Sequence, residues 1–234
     1  MKFYKYGITF ERLKAEDIEM VRQWRNSDAV RLNMNYREII TPEMQHEWFN
    51  SINNANFHYV VIQYQGVKIG LLNDKNIDWE TLSSETGIFI GRPEFYHTFV
   101  PYLVSVAGIE TFFYFIGWKK QYAHILRSNT NAVKYNLQLG YRLCDGQEGI
   151  EHQRYELTRD SFEQTAGRIR KMVKSIAGND TRSRMQFEPE DYKTGIAQRF
   201  EGLFLKNPIP HQRKETAEGV WYIELEGNES AVAK

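Results

Sequence analysis

Asn129-Thr130-Asn131-Ala132-Val133-Lys134-Tyr135-Asn136-Leu137-Gln138-Leu139-Gly140-Tyr141 reads as one helix with both of its ends marked. Asn129 carries the short polar side chain that accepts the free N–H groups of a first turn. Gly140 stands where a left-handed C-terminal cap belongs. Residues 122–127 before this helix read as a strand, and residues 141–144 and 153–157 after it as two more. A capped helix set between strands is the repeating unit of a mixed α/β domain.

The same alternation extends upstream. A long apolar helix spans residues 98–116, with Val100, Val104, Ala107 and Thr111 in its stripe and Gly117 near its end. Residues 86–90 form the strand before it. Residues 59–63 and 67–72, joined by Gln65-Gly66, make a hairpin. Thr41 as N-cap, Pro42 and Glu43 open a helix whose Met44, Trp48 and Ile52 share a face. Residues 15–26 form another, with Glu16 and Asp17 at its positive dipole end and Ile18, Val21 and Trp24 as its stripe. Residues 8–13 are the strand before that. Downstream, residues 159–177 read as a closing amphipathic helix, with Phe162, Ala166, Ile169 and Val173 in step.

Two parts follow: a domain over residues 1–177 and a C-terminal extension over residues 178–234. Residues 178–219 are polar with sparse aromatics, residues 220–225 are β-like, and a polar tail ends the chain. Phe187, Tyr192, Phe200, Phe204 and Trp221 argue against disorder throughout. The extension is expected to wrap onto the main domain or a partner chain, so a homo-oligomer formed through it is one expectation.

Composition narrows the function. Thirty basic and thirty acidic residues over 234 cancel, which gives no global attraction to nucleic acid or an anionic membrane. The single cysteine, Cys144, excludes an intramolecular disulfide and a cysteine-based zinc cluster, and the six scattered histidines suggest no metal site. The first residues lack a signal-peptide core, and no apolar run reaches bilayer length. A soluble, cytoplasmic protein is the expectation, with neither nucleic acid nor membrane as partner.

Two blocks carry a family resemblance. The first is Leu13-Lys14-Ala15-Glu16-Asp17, then Trp24-Arg25-Asn26, then residues 36–43 with His46 and Trp48-Phe49 after them. The second is Asn129-Thr130-Asn131-Ala132 with Leu139-Gly140-Tyr141. Over residues 8–158 the chain resembles the GNAT superfamily of acyl-CoA-dependent N-acyltransferases. It looks most like the branch that acetylates nucleotide-linked amino sugars and its relatives that acetylate protein N-termini. The resemblance implies an α/β (α+β) fold with a mixed, mostly antiparallel central sheet flanked by helices. It also implies acetyl-CoA or another acyl-CoA as cofactor, with a small-molecule amine or nucleotide sugar as acceptor.

Amide formation from a thioester needs an amine stripped of its proton, a donor for the oxyanion and a proton for the leaving sulfur. By resemblance, Glu85 heads the central strand as carboxylate base or water-orienting group, against a solvated strand-end charge. Asn136 stands where many members have a tyrosine that protonates the thiolate, with Tyr135 one place earlier. Asparagine donates hydrogen bonds but is no conventional acid. Ile88, Ile90, His97, Thr98, Phe99 and Asn129 fall on the cofactor side, and Tyr36, Arg37 and His46 on the acceptor side. The bland alternatives are an exposed ion pair for Arg37 and a surface or packing role for His46.

The phosphate loop departs from the family pattern. Tyr96 replaces a basic residue or glutamine, and Phe99 and Pro101 replace two small residues. Glycines normally stand there because phosphate must approach the backbone closely. Two further readings therefore stand beside the acyltransferase: a non-catalytic binding or regulatory module on the same fold, and an interaction protein working through its extension.

Overall fold

A single mixed sheet of eleven strands organises the chain, seen in a computed structural model that describes residues 1–179, 181–206 and 210–225. β1 (Lys2–Lys5) and β2 (Ile8–Arg12) form a hairpin turned by Tyr6 and Gly7, both at positive φ. After one 3-10 turn at Ala15–Asp17 come α1 (Ile18–Asn26), the short α2 (Asp28–Arg31) and α3 (Pro42–Ile52). The Thr41 hydroxyl caps α3 by accepting the Met44 N–H at 3.3 Å. β3 (His58–Tyr64) and β4 (Val67–Asp78) pair across the Gln65-Gly66 turn, followed by β5 (Ser83–Ile90).

α4 (Val100–Glu110) continues through wider π turns at Thr111–Ile116 and stops at Gly117, φ 87°. Then come β6 (Lys120–Leu126), α5 (Thr130–Gln138), β7 (Arg142–Leu143) and β8 (His152–Thr158). The chain ends in α6 (Arg159–Thr165), α7 (Gly167–Ala177), β9 (Arg184–Phe187), α8 (Pro189–Lys193), α9 (Ile196–Lys206), β10 (His211–Thr216) and β11 (Gly219–Glu224).

The strand order is β10-β11-β9-β1-β2-β3-β4-β5-β6-β8-β7. Among the described residues every neighbouring pair is antiparallel except β5 with β6. Strand alternation sends Val60 and Ile62 into the larger core under α4, α7 and α9, while Val61 joins Leu13, Ile18, Val21, Ile52 and Leu71 beneath α1 and α3. No described helix is long and apolar enough to cross a membrane.

Three local readings need correction. The closing helix is two helices, because α6 ends at Ala166 and Gly167 opens α7; glycine is a weak link in a helix interior. The long helix, read from residue 98, opens only at Val100, so its N-cap lies past Thr98. Phe99 holds that position, while the Thr98 hydroxyl still accepts the Val100 N–H at 3.2 Å. And α4 has no single apolar stripe, because residues 103–110 are all buried.

α7 and the strands β1 and β2 pack on α4 itself, where Arg170 of α7 reaches Glu110, and the extension covers the π turns that follow and the β1 edge of the sheet. β9 pairs antiparallel with β1, and Phe204 on α9 packs against Phe115 at 5.1 Å between ring centroids. Residues 184–206, read as polar with sparse aromatics, hold β9, α8 and α9. Ile196, Phe200 and Leu203 supply the helical face, with Phe200 only 1% exposed. The polar tail after Leu225 lies outside the described residues.

Candidate active site

β5 and β6 pair in parallel over three positions, Ser83 with Lys120, Ser84 with Gln121 and Glu85 with Tyr122. Beyond that point the ladder stops, although β5 runs on to Ile90 and β6 to Leu126. Two strands that share a root and then part leave a wedge with unpaired backbone on both sides. A cavity of about 1030 Å³ occupies this wedge and continues beneath α1 and α3. Thr86 to Ile90, Ala123 to Leu126, and Asn129 and Asn136 of the α5 region line it on one side. Arg25, Tyr36, Gln45, Trp48 and Tyr59 line it on the other.

At the root of the wedge, Glu85 is surrounded by donors. Lys75 Nζ lies 2.6 Å and His124 Nδ1 3.2 Å from Glu85 Oε1, and Asn76 Nδ2 donates to Oε2 at 3.1 Å. Burial raises the carboxyl, but the Lys75 and His124 contacts outweigh it and hold Glu85 below the ordinary glutamate value. It is a fixed negative charge in the cavity wall.

On the α1 side, Arg25 reaches the cavity with no ion pair or hydrogen bond among the described residues. Burial lowers its guanidinium from the ordinary value, with Tyr59 pulling the other way. Its neighbour Asn26 has a different task. The amide donates to the Ile40 carbonyl and accepts the Ile40 N–H, both at 2.9 Å, which ties the approach to α3 onto α1. Behind this wall Gly91 packs against Trp24, since a Cβ there would sit 2.2 Å from the indole ring.

Residues 8–142 match the acetyltransferase (GNAT) domain family. The chain belongs to the GNAT acetyltransferase family. Among solved structures it is similar to the spermidine N-acetyltransferase of Vibrio cholerae in complex with CoA and spermine, at 19% identity and TM-score 0.55, covering 67% of this chain and 98% of that one. An aminoglycoside acetyltransferase in complex with coenzyme A matches at 15% identity and TM-score 0.56, over 68% and 98%. A domain from Methanocaldococcus jannaschii matches at 22% and 0.55, over 64% and 97%. At these identities the likeness is one of fold. No curated protein matches the sequence.

Within this GNAT fold, Glu85, Asn136, Ile88, Ile90, His97, Asn129 and Tyr36 all line the cavity. Asn129 Oδ1 accepts the Ala132 N–H at 3.1 Å, which caps α5 as its sequence predicts. Asn136 Nδ2 donates to the Ala132 carbonyl at 2.8 Å, so its amide is turned into its own helix. The Tyr135 hydroxyl donates to the Pro101 carbonyl at 2.7 Å and lies 2.8 Å from the Ser105 hydroxyl, tying α5 to α4.

Four expected site residues do not line the cavity: Thr98, Phe99, Arg37 and His46. Thr98 is spent on the turn before α4, and Phe99 is exposed with its ring 6.4 Å from Tyr64. Arg37 is exposed and bonds the Met34 carbonyl at 3.2 Å. His46 is exposed on α3, which instead presents Gln45 and Trp48. The first turn of α4 is poor in donors, because Thr98 takes the Val100 N–H and Pro101 has none.

Lys75, His124, His152 and Arg25 line the site beside the expected residues. His124 alternates with buried Ala123 and Ile125 along β6, a period-2 signal for the opposite face. Nothing in the sequence alone says that this face borders a cavity.

Proposed function

We propose that this protein is a cytoplasmic acyltransferase that moves an acetyl or other acyl group from acyl-CoA to a primary amine of a small molecule, with a nucleotide-linked amino sugar as the favoured acceptor. The observation that carries the reading is the parting of β5 and β6 after Glu85, which opens one cavity to both a cofactor wall and an acceptor wall. Acyl-CoA, when bound, supplies the electrophilic thioester carbonyl.

The residues fit such a group along the wedge. The exposed edges of β5 at Ile88 and Ile90 would run beside the pantetheine arm, and the N-terminal turn of α5 with Asn129 would border it. At the phosphate end the fit rests on His97 and on what the first turn of α4 still offers. On the acceptor side, Glu85 offers a carboxylate to an ammonium. The unpaired Arg25 offers its planar donor fork to a phosphate or carboxylate of the same molecule.

One observation favours the non-catalytic module: the donor-poor start of α4, where the family places pyrophosphate. A thiol-release assay separates the two readings. Acetyl-CoA is supplied with spermidine, kanamycin or uridine diphosphate glucosamine. Turnover with the nucleotide sugar supports the full proposal, turnover with the other amines the broader one. Absence of turnover with all three, in protein shown to be folded, favours the module.

A further inference from the structure

Glu85 is poorly placed to be the base itself. Both of its oxygens already receive hydrogen bonds, from Lys75 and His124 at Oε1 and from Asn76 at Oε2. The imidazole beside it is placed differently. With Nδ1 directed at the Glu85 carboxylate, 3.2 Å away, the neutral ring of His124 carries its proton on Nδ1 and leaves Nε2 as an acceptor. No hydrogen bond engages Nε2 among the described residues, and the side chain, 28% exposed, lies in the cavity lining. The charged and titratable groups facing the ring come from four strands: Glu85 on β5, Lys75 on β4, His152 and Arg154 on β8, and Tyr122 on β6 itself. His152 has its ring centroid 5.3 Å away, and Arg154 is stacked over the Tyr122 ring at 3.8 Å.

We infer that His124 takes the proton from the acceptor ammonium through Nε2, and that Glu85, itself anchored by Lys75 and Asn76, is the positioning residue that fixes the tautomer. This assignment rests on the acyl-transfer reading above. One proton passes from the amine nitrogen to His124 Nε2 and on to solvent. The freed lone pair forms the N–C bond at the thioester carbonyl, the C–S bond breaks, and the second amine proton ends on sulfur, so charge and atoms balance.

The test has a spectroscopic and a kinetic arm, both on the full chain. Long-range proton–nitrogen NMR of the free protein should find neutral His124 protonated at Nδ1 with Nε2 bare, and Glu85→Ala should abolish that preference. In thiol release from acetyl-CoA with the best amine of the panel above, His124→Gln should lower kcat/KM about 10²- to 10⁴-fold. Added imidazole should restore part of the activity to His124→Ala. His124 is partly exposed, so these variants should fold, and circular dichroism checks that they do. A neutral His124 protonated at Nε2, or a His124→Gln variant within threefold of wild type, overturns the assignment. Failure of the wild type to turn over any of the amines, with the tautomer as expected, overturns the transfer reading and the His124 role with it while leaving the Glu85–His124 pair in place.

Discussion

A methyl group added at Gly91 would collide with the Trp24 indole, which is why the one glycine at the head of the cofactor loop stays a glycine here. The family resemblance ties glycine in this region to phosphate approach, whereas the structure ties this one to an aromatic wall. Gly91→Ala should push Trp24 off its edge-on contact with Phe89, whose ring centroid is 6.5 Å away, and weaken acceptor binding. The expected result is a melting temperature lowered by several degrees and a KM for the amine raised more than the KM for acetyl-CoA. Arg25 is the second residue whose surroundings make a prediction. A guanidinium in a partly buried wall with no ion pair or hydrogen bond among the described residues suits an anion, so Arg25→Gln should raise KM about tenfold or more for a phosphate-bearing amine. It should leave KM for an uncharged monoamine nearly unchanged, and steady-state kinetics on the two acceptors checks this.

Elements with chemically marked ends were legible in the sequence. Thr41-Pro42 and Asn129 with Gly140 fixed α3 and α5 because each cap satisfies a specific free backbone group. The family resemblance places Glu85, Ile88 and Ile90 at the head of and along the strand read over residues 86–90. What could not be read was which side chains of a loop turn inward. Arg37 and His46 have the right chemistry, but backbone hydrogen bonding and the turn of α3 send them to solvent. His124 reads as one exposed strand residue among several until β5 and β6 are seen to part. The α4–α5 contact sharpens another reading. Tyr135 is half-buried with its hydroxyl against Pro101 and Ser105, and desolvation there pushes that hydroxyl upward from the ordinary tyrosine value. It is therefore a brace between helices. Tyr135→Phe should cost about 1–2 kcal/mol in urea unfolding by orphaning its partners, with kcat within threefold of wild type. A hundredfold fall in kcat would instead make Tyr135 the acid for the leaving sulfur.

At the scale of the molecule, the extension behaves as part of the core. Phe200 lies among Trp79, Phe187, His58 and Phe112, with ring centroids 5.4, 6.1, 5.9 and 6.5 Å away. Phe200→Ala should cost about 3–5 kcal/mol, and a chain ended at Gly178 should fail to give a cooperative unfolding transition. An intact transition in that truncated chain would show that residues 1–177 stand alone. The single stripe read on the long helix gave no sign of this, because burial on every side shows only once the neighbouring elements are in place. Acid sensitivity is also a property of the whole. In Glu11, Glu85 and Glu188 burial pushes the carboxyl up, but pairing with Lys14, Lys75 and Lys2 respectively outweighs it, so all three lie below the ordinary value. A depressed carboxyl stabilises the fold above its unfolded value, about 4.3, and that contribution disappears as pH falls through the folded value. Melting temperature should therefore stay level from pH 7 to about 5 and fall below that; a rise on acidification would contradict the pairing.

The most direct test of the central claim is calorimetric titration of the full chain with acetyl-CoA and with CoA. One site per chain with a Kd in about the micromolar range is expected, because β5 and β6 part to leave unpaired backbone and His97 lines the same cavity, where the proposed acyl-CoA would lie. Absence of binding up to millimolar acetyl-CoA, in protein that unfolds cooperatively, would contradict it.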